Sequence, residues 1–512
     1  MVLLMKQLFY TEAEHANLGA MACYAKLQCL NGHWAFAQLE LGMTGDFSSA
    51  GFKDAQPFYG ATFNPNESSI VQGVWNAVMK VLLYATSTLM VSQKWVIRYS
   101  AEKRNMYLAE TRFIRAFWYL RLVQFYGDVP LRSASVNDPT NSSEVQLAAT
   151  SKEEIFKSLI IPDLEFATEN LPDKWDEAYT HRATKGTAFA YLSEAYLIMK
   201  DYENALKAGL EVEKFDYELL DDPGRVFHIE EENSKEIIFS VGIAEGIDKY
   251  RRELYFGSKE DLGGDLGHLM RGDTYSADYF YPSKEFVDFF QVIDGKSIKD
   301  NSPYFDASQA WKNRDPRFDG TFFTIMDEVV TTTGKKMNWR DEWLVNTPTG
   351  YDIQKRGVWY GEESWTQRVD VHLMRLPRVY LHIAEAYALQ ANPDFEKCSE
   401  YVEKVRSRAR RFALAHPDKY IPEGLDESKV LPPFVIDSKE SAMEAINYES
   451  RVEFFTEDVI RYFDLKRWGT LAEEWSRVGD FIWEDKLYNL PYPAAELSAN
   501  PNLKQNHIGW GN

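Results

Sequence analysis

The residues best suited to chemistry are aromatic side chains in two long irregular stretches. The stretch 327–372 holds four tryptophans, and the stretch 244–281 is rich in Gly, Asp and Tyr. A sugar ring has an apolar face of C–H bonds and a rim of hydroxyls, which an exposed ring with polar neighbours matches. Irregular stretches of this length usually carry a function. We predict ligand contacts from Tyr255, Tyr275, Tyr279, Trp339, Trp343, Trp359 and Trp365.

Polar residues beside these rings agree with that prediction. Arg340, Asp341 and Glu342 lie between Trp339 and Trp343 and carry donors and acceptors for hydroxyl groups. The alternative is that each ring anchors its loop to the body of the protein, since large rings are mostly buried. We expect two or three of the rings to contact a ligand.

An acidic cluster in the first stretch raises the question of a metal. Four carboxylates crowd this Gly-rich segment and offer the oxygen ligands that Ca²⁺ prefers. Their spacing matches no known calcium loop, so we interpret them as solvated loop charge, with a structural Ca²⁺ as the alternative. They are Asp261, Asp265, Asp273 and Asp278.

Catalytic motifs are not found. The sequence has no nucleophile elbow, zinc-protease motif, phosphate loop or dinucleotide fingerprint, and its nine histidines show no helical metal-ligand pair. Glu453 and Glu457 resemble a carboxylate pair for glycoside hydrolysis. Nearby arginines favour ion pairing instead. We expect no enzyme activity, no catalytic residue and no cofactor.

Composition excludes several classes of partner. The formal net charge is −21, which argues against nucleic acid and anionic lipid surfaces. The three cysteines, Cys23, Cys29 and Cys398, form no disulfide or metal pattern. No run of 18 apolar residues predicts a transmembrane helix. No Gly/Ser or Pro linker divides the 512 residues, so we expect a single body over 1–512.

Helical periodicity dominates the rest of the chain. In 183–214, small and large residues alternate on one face around a turn at 200–202, as in a tetratricopeptide helix pair. Similar pairs are predicted at 70–126, at 152–171 leading into 183–199, and at 374–411. Residues 235–243 read as a strand and Asp294-Gly295-Lys296 as a turn.

The C-terminal part combines a predicted helix with an irregular ending. Residues 451–469 place apolar residues at helical spacing and put Glu457 four residues before Arg461, which predicts one amphipathic helix stopped by Gly469. Residues 490–506 contain three prolines, so they should run as extended chain and turns over the body.

Several blocks, in order, resemble the SusD/RagB family of outer-membrane nutrient-binding lipoproteins. The blocks are VWNAVMKVLLYATSTL (74–89), AETRFIRAFWYLRLVQFYGDVPL (109–131), YPSKEFVDFFQVIDGK (281–296), NRDPRFDGTFF (313–323), MRLPRVYLHIAEAYAL (374–389), VRSRAR (405–410), RVEFFTEDVIRYFDLKRWG (451–469) and LYNLPYPAAELSANPNLKQNHIGW (487–510). One block alone would be weak, but the ordered series covers nearly the whole chain and is specific.

The resemblance implies a predominantly α fold of about four tetratricopeptide-like helix pairs, with a less regular portion carrying a few short strands. Scaffold helices are expected mainly in 12–126, 152–214, 374–411 and 439–469. The irregular ligand face would comprise 31–60, 244–281 and 327–372. In the first of these segments the family commonly lends ligand residues, and Trp34, Asp46 and Phe52 match those places.

The same resemblance implies a function. A non-catalytic protein would capture a glycan at the cell surface and deliver it to a SusC-like TonB-dependent outer-membrane barrel, closing that barrel as a lid. Capture of peptides is the alternative within the family. An all-helical glycoside hydrolase and a plain repeat scaffold are the alternatives outside it.

The N-terminus departs from the family, whose members begin with a secretory signal and a lipid-accepting cysteine. Residues 1–9 are too short for a signal core, and acidic residues follow at once. Residues 20–23 vaguely match a lipid-attachment site, but a helix from Glu12 to Cys29 is the preferred interpretation. The expected location, a surface lipoprotein of the outer membrane, therefore depends on an anchor outside this sequence.

Overall fold

The fold is described from a computed structural model of the chain. The residues that the structure describes are 13–25, 27, 43, 45–48, 64–65, 69–92, 100–134, 136, 138, 140–176, 179–242, 281–324, 328–330, 336–338, 349–355, 370–478 and 483–511.

Long helices make up most of the described chain. The helices are α1 (Ala13–Ala25), α2 (Ser69–Ser92), α3 (Ala101–Tyr126), α4 (Lys152–Ile155, a π-helical turn Phe156–Ile160, and Ile161–Asn170), α5 (Lys185–Ile198), α6 (Tyr202–Val212), α7 (Leu376–Leu389), α8 (Phe395–Ala415), α9 (Lys439–Glu453), α10 (Ile460–Trp468) and α11 (Leu471–Val478). Shorter helical turns are Ser142–Val145, Lys284–Phe289, Arg317–Thr321, Pro417–Tyr420 and Ala494–Ala499.

The helices stack in sequence order. Each of α2 to α6 packs on the next helix, α6 packs on α7, α7 on α8, and α9 against both α7 and α8. Small residues let the axes approach: a Cβ on Gly209 of α6 would meet Ile383 of α7 at 2.7 Å. The predicted helix pairs and the predominantly α fold are confirmed.

Local signals fix where these helices begin and end. The hydroxyls of Thr184 and Ser438 each accept a hydrogen bond from the backbone N–H three residues on, in capping boxes that start α5 and α9. Gly127 ends α3 at φ 76°, a conformation that favours glycine. Gly469 ends α10 at φ 78°, as predicted.

Apolar clusters fill the interior of the described part of the chain. The largest lies between the helices, where Phe117 packs edge-to-face on Tyr191 at 5.4 Å and Phe113 on Phe239 at 5.3 Å. A second, mostly aromatic cluster gathers around Phe286, Phe322 and Phe455. A smaller third cluster joins 292–293 to the end of α8 and to 420–431.

The described strands are short and pair two by two, all antiparallel. They are β1 (Phe47–Ser48), β2 (Val129–Pro130), β3 (Ala149–Thr150), β4 (Ile237–Val241), β5 (Tyr281–Pro282), β6 (Phe322–Phe323), β7 (Glu328–Val330), β8 (Lys336–Asn338), β9 (Asp352–Ile353) and β10 (Val371–Arg375). The pairs are β1 with β5, β2 with β3, β4 with β10, β6 with β9 and β7 with β8. The predicted strand within 235–243 is confirmed, and Gly295, at φ 80°, occupies the predicted turn.

The continuous helix predicted over 451–469 is wrong. Helix α9 ends at Glu453 and α10 begins at Ile460, and Thr456, Asp458 and Val459 between them have positive φ. The predicted Glu457–Arg461 pair is not formed. The break turns Glu457 inward to buried cations, and the apolar residues that mimicked one helical face belong to two separate buried segments.

The first helix and the last segment match their predictions in part. Helix α1 falls within the predicted 12–29, and Cys23 is buried in it with its thiol donating to Gly19 O. The closing segment is mostly irregular. Tyr492 from it is buried edge-to-face against Trp75 at 5.3 Å.

Candidate functional site

The structure describes mainly the ends of the three predicted ligand regions. Asp46 is the predicted ligand residue within the described part of the chain. The others lie outside the described residues: Trp34, Phe52, Tyr255, Tyr275, Tyr279, Trp339, Trp343, Trp359 and Trp365. The weak calcium candidates also lie outside it: Asp261, Asp265, Asp273 and Asp278.

The chain segments that lead into the three predicted ligand regions are joined to one another. Strand β1 belongs to 31–60 and β5 closes 244–281; Phe47 pairs with Pro282 and Ser48 with Tyr281. Just beyond this ladder, Ser283 N donates to Asp46 O at 2.8 Å. We call the described residues at which a ligand region joins the body its root. The roots of the first two regions are therefore hydrogen-bonded to each other.

The third region meets the second at another ladder. Val241, near the start of 244–281, pairs with Val371 at the end of 327–372. Strand β9, inside 327–372, pairs with β6 and also lies against β5. The described ends of all three predicted regions are thus neighbours in the fold.

An aromatic cluster lies beneath these roots. Phe455 stacks on Phe47 at 4.6 Å and on Phe286 at 4.2 Å, so one ring from the α9–α10 connection contacts the roots of both 31–60 and 244–281. Phe322, shortly before the third region, and Tyr351, inside it, belong to the same cluster. Ring packing of this kind fixes the starting points of irregular segments.

Asp46 is placed as an internal counterion. It is 2% exposed, and its carboxylate accepts from Arg451 Nε at 2.9 Å and Nη2 at 2.5 Å. Arg451 Nη2 also donates to Glu285 Oε2 at 2.5 Å. No pattern in the sequence indicated this ion pair, and the ligand contact expected of Asp46 stays a prediction.

A second set of charges forms a buried ionic network between the helices and the irregular part. Arg375 donates to Glu457 at 2.7 and 2.8 Å and to Glu453 at 3.1 Å, and Arg408 reaches Glu453 at 2.5 Å. Lys355 donates to Glu457 at 2.6 Å. The ten members are all 6% exposed or less: Arg317, Lys355, Arg375, Arg406, Arg408, Asp315, Glu236, Glu449, Glu453 and Glu457.

The pKa shifts show which charges the network stabilises. Burial alone would raise the pKa of Glu453, but Arg408, Arg375 and Arg317 together lower it. The pKa of Glu457 is lowered in the same way, against burial, by Arg375 and Lys355. Burial lowers the pKa of Lys355 to about 8, although Glu457 opposes the shift. Both carboxylates are therefore ionised at neutral pH and fully engaged, which confirms their interpretation as ion-pair partners.

Residues 451–468, which we call the anchor segment, contact the helices, the strands and the described ends of the ligand regions. Beyond Arg451, Phe455 and the two glutamates, its Asp458 pairs with Arg121 of α3. Asp464 accepts from Arg378 of α7 at 3.4 Å and from Ser450 at 2.9 Å. The anchor segment thus links helical scaffold, strands and ligand-region roots.

A pocket of about 190 Å³ opens on the outer side of the ionic network. Its polar side chains are largely paired with protein groups: Lys419 with Asp319 at 2.6 Å, and Asp222 with the backbone N–H of Gly224 at 2.8 Å. Lys355, on its inner wall, is held by Glu457. The pocket is a solvent-accessible cleft with both polar and aromatic lining residues, and its paired polar groups give no preference for one ligand.

Among the described residues, one Ser/His/Asp grouping resembles a hydrolytic triad in composition but not in geometry. His181 Nδ1 faces both Ser240 Oγ at 3.0 Å and Asp370 Oδ2 at 3.4 Å, whereas a hydrolytic triad needs these partners on opposite ring nitrogens. Within the described ranges, no three His, Cys, Asp or Glu side chains group as metal ligands would. No helix in the same part of the chain has the length and apolar character needed to cross a bilayer.

The fold is that of a helix-pair repeat scaffold, in which short strand ladders hold less regular segments against serial helix pairs. Comparison with known families identifies the family to which this scaffold belongs. The model described as "SusD family" matches residues 235–510, and the model described as "Starch-binding associating with outer membrane" matches residues 20–197. The chain therefore belongs to the SusD family, as its sequence blocks predicted.

Individual relatives agree over nearly the full length. SusD-like protein P2 of Formosa agariphila is 25% identical over 87% of this chain and 82% of its own. A SusD superfamily protein from Bacteroides vulgatus superposes with a TM-score of 0.76 at 20% identity, covering 98% of this chain and 99% of that one. A laminarin-binding SusD-like protein superposes with a TM-score of 0.73 at 21% identity, covering 98% and 100%.

Proposed function

We propose that this protein binds a glycan at the outer face of the outer membrane and has no catalytic activity of its own. The observation that carries the proposal is that the described ends of the three segments predicted to hold the ligand-binding aromatic residues are joined to one another and to the anchor segment, in a SusD-family fold. Rigid roots limit the conformational entropy lost when loops close on a ligand.

The relatives support a carbohydrate as the ligand. One is titled a laminarin-binding SusD-like protein, and another a surface glycan-binding protein A from Bacteroides uniformis, with a TM-score of 0.71 at 17% identity over 97% of this chain and 99% of that one. The family model over 20–197 is described as starch-binding. Laminarin and starch are accordingly the first glycans to test.

Binding is tested by intrinsic tryptophan fluorescence and calorimetry against laminarin, soluble starch, a wider glycan panel and mixed oligopeptides. We expect a saturable response to a glycan that Trp343→Ala or Trp359→Ala abolishes. Trp468→Ala is the matched control, because Trp468 belongs to α10 and donates to Glu385 of α7 at 3.0 Å. A response to peptides alone would replace the glycan with a peptide and retire the stacking argument.

Delivery to a SusC-like TonB-dependent barrel is the second part of the proposal. Membrane attachment would come from a lipid anchor, and the protein would cover the barrel when loaded. The family model's description, "associating with outer membrane", supports the location. Affinity purification of the lipidated full-length protein from outer membranes tests it: a SusC-like barrel should co-purify, and recovery of the protein without one would contradict the partnership.

A further inference from the structure

We propose that Arg451 is a positioning residue that couples the described ends of two predicted ligand-face segments: 45–48, which belongs to 31–60, and 281–285, which follows 244–281. It is not proposed to contact a ligand. The coupling itself is a property of the described fold, whereas its effect on ligand binding rests on the proposed function.

The geometry of Arg451 carries the inference. One guanidinium nitrogen, Nη2, donates at 2.5 Å both to Asp46 at the root of 31–60 and to Glu285 just after 244–281. Arg451 is 2% exposed, so its guanidinium is shielded from solvent. A planar guanidinium can hold two carboxylates at fixed angles, which an ammonium cannot do equally well.

Other residues near Arg451 in the sequence also contact the ends of both segments. Trp475 Nε1 donates to Met43 O at 2.9 Å, ahead of Asp46, and Arg477 lies 3.9 Å from Glu285. Phe455 stacks on Phe47, next to Asp46, at 4.6 Å. The segment 451–477 therefore holds the two roots together, with Arg451 as the one described side chain that ion-pairs with both.

The two carboxylates differ in burial, which separates their roles. The Asp46 side chain is 3% exposed, and the Glu285 side chain is 34% exposed. Replacing Arg451 removes the cation between the two acids and takes this counterion from the buried Asp46 carboxylate, a severe change. Glu285→Gln, by contrast, keeps the size of the side chain and removes one charge at a partly open position, so it should fold.

The test is hydrogen–deuterium exchange of the full chain, free of ligand. In Glu285→Gln we expect exchange to rise roughly tenfold, as loss of a charge-assisted hydrogen bond implies, at 281–289 and also across 43–48. The second effect crosses to a different segment and is what a purely local role would not produce. Arg451→Met should raise exchange in both segments further.

Lys284→Gln is the matched control. Lys284 precedes Glu285 on the same short helix but pairs with Asp288, four residues on, and not with Arg451. It should leave exchange across 43–48 unchanged. If Glu285→Gln also leaves that segment unchanged, the coupling is refuted.

A separate measurement tests the effect on binding. The affinity for laminarin or starch should fall about tenfold in Glu285→Gln and stay constant in Lys284→Gln. Coupled exchange with an unchanged affinity would overturn the positioning role. If the parent chain binds neither glycan nor any other in the panel, the proposed function fails, while the exchange result still decides the coupling.

Discussion

In the helical part, neighbours from α2 to α8 meet mainly through apolar side chains, with isolated ion pairs such as Arg115 of α3 with Asp163 of α4. The irregular part is held differently. Its segments meet the body through stacked rings and a ten-residue network of charges. Apolar contact tolerates small shifts, whereas a bridged guanidinium has one good geometry. The second kind of contact suits segments that lack a repeating backbone to position them.

The closing segment blurs this contrast, because it is irregular and yet held by apolar burial. We expect a chain ending at residue 485 to lose much of its stability, since Leu490, Tyr492, Leu503 and Trp510 then leave the core. At roughly 1.5–3 kcal/mol for each of these four buried side chains, the total is about 6–12 kcal/mol. Denaturant unfolding measures it.

The control for this truncation is a chain ending at Trp510. It removes two residues beyond the last described contact with the core and should unfold at the same denaturant concentration as the full chain. Equal midpoints for the 485 truncation and the full chain would show that the closing segment contributes nothing. If the short chain does not accumulate, Tyr492→Ala provides a smaller version of the same test, at about 3–5 kcal/mol.

The ionic network gives the next largest effect. Arg375→Met leaves Glu236, Glu453 and Glu457 short of a partner in the interior. Removing one side of a buried ion pair costs about 3–5 kcal/mol, so the free energy of unfolding should fall by that amount. Lys207→Met, which breaks an exposed pair with Glu203, should cost less than about 0.5 kcal/mol. A similar loss in both variants would remove the distinction between buried network and surface pair.

Acid should weaken the network before it affects the helical part. The folded-state pKa values of Glu453 and Glu457 lie below the unfolded value of 4.5, so the folded protein binds fewer protons there. Their contribution is complete above pH 4.5 and is lost as the pH falls through the folded pKa. In α3 and α4, burial raises the pKa of Glu110 and Asp163, which has the opposite sign: lowering the pH relieves a cost.

The measurement is the melting temperature between pH 7 and 3 for the parent chain and Glu453→Gln. We expect a fall below pH 4.5 in the parent and a shallower fall in the variant, because one of the titrating groups is gone. An identical acid limb in the two proteins would assign the acid sensitivity to other carboxylates.

The sequence predicted the helical part well and the anchor segment poorly, for a physical reason. Helix pairs such as α5 and α6 bury one stripe, and a stripe repeats every 3.6 residues. The fold of the anchor segment depends on partners far away in sequence: Arg375 is 82 residues from Glu457, and Arg451 is 405 residues from Asp46. Its apolar spacing therefore predicted one helix where two segments meet.

The sequence nevertheless contains a signal for the buried ionic network. Arg406, Arg408, Glu449 and Glu453 occupy helix positions that the structure buries. Charged residues are seldom fully buried unless paired. Ionic residues on the inner faces of two helices predict a buried network, but its partners cannot be matched without the fold.

The smallest predicted effect comes from the N-terminal cap of α9, and it distinguishes the stability of this helix from the contacts of Arg451 at its other end. Ser438 starts α9, the helix that carries Glu449, Arg451 and Glu453 at its other end. Ser438→Ala removes the hydroxyl that accepts from Ser441 N and should cost about 1 kcal/mol in denaturant unfolding. Ser476→Ala, an exposed helical serine that donates to Ala472 O, should cost nearly nothing. Because the cap lies at the far end of the helix from the network, we expect Ser438→Ala to leave exchange across 43–48 unchanged. A rise there would mean that the position of the whole helix, and not Arg451 alone, holds the ligand-region roots.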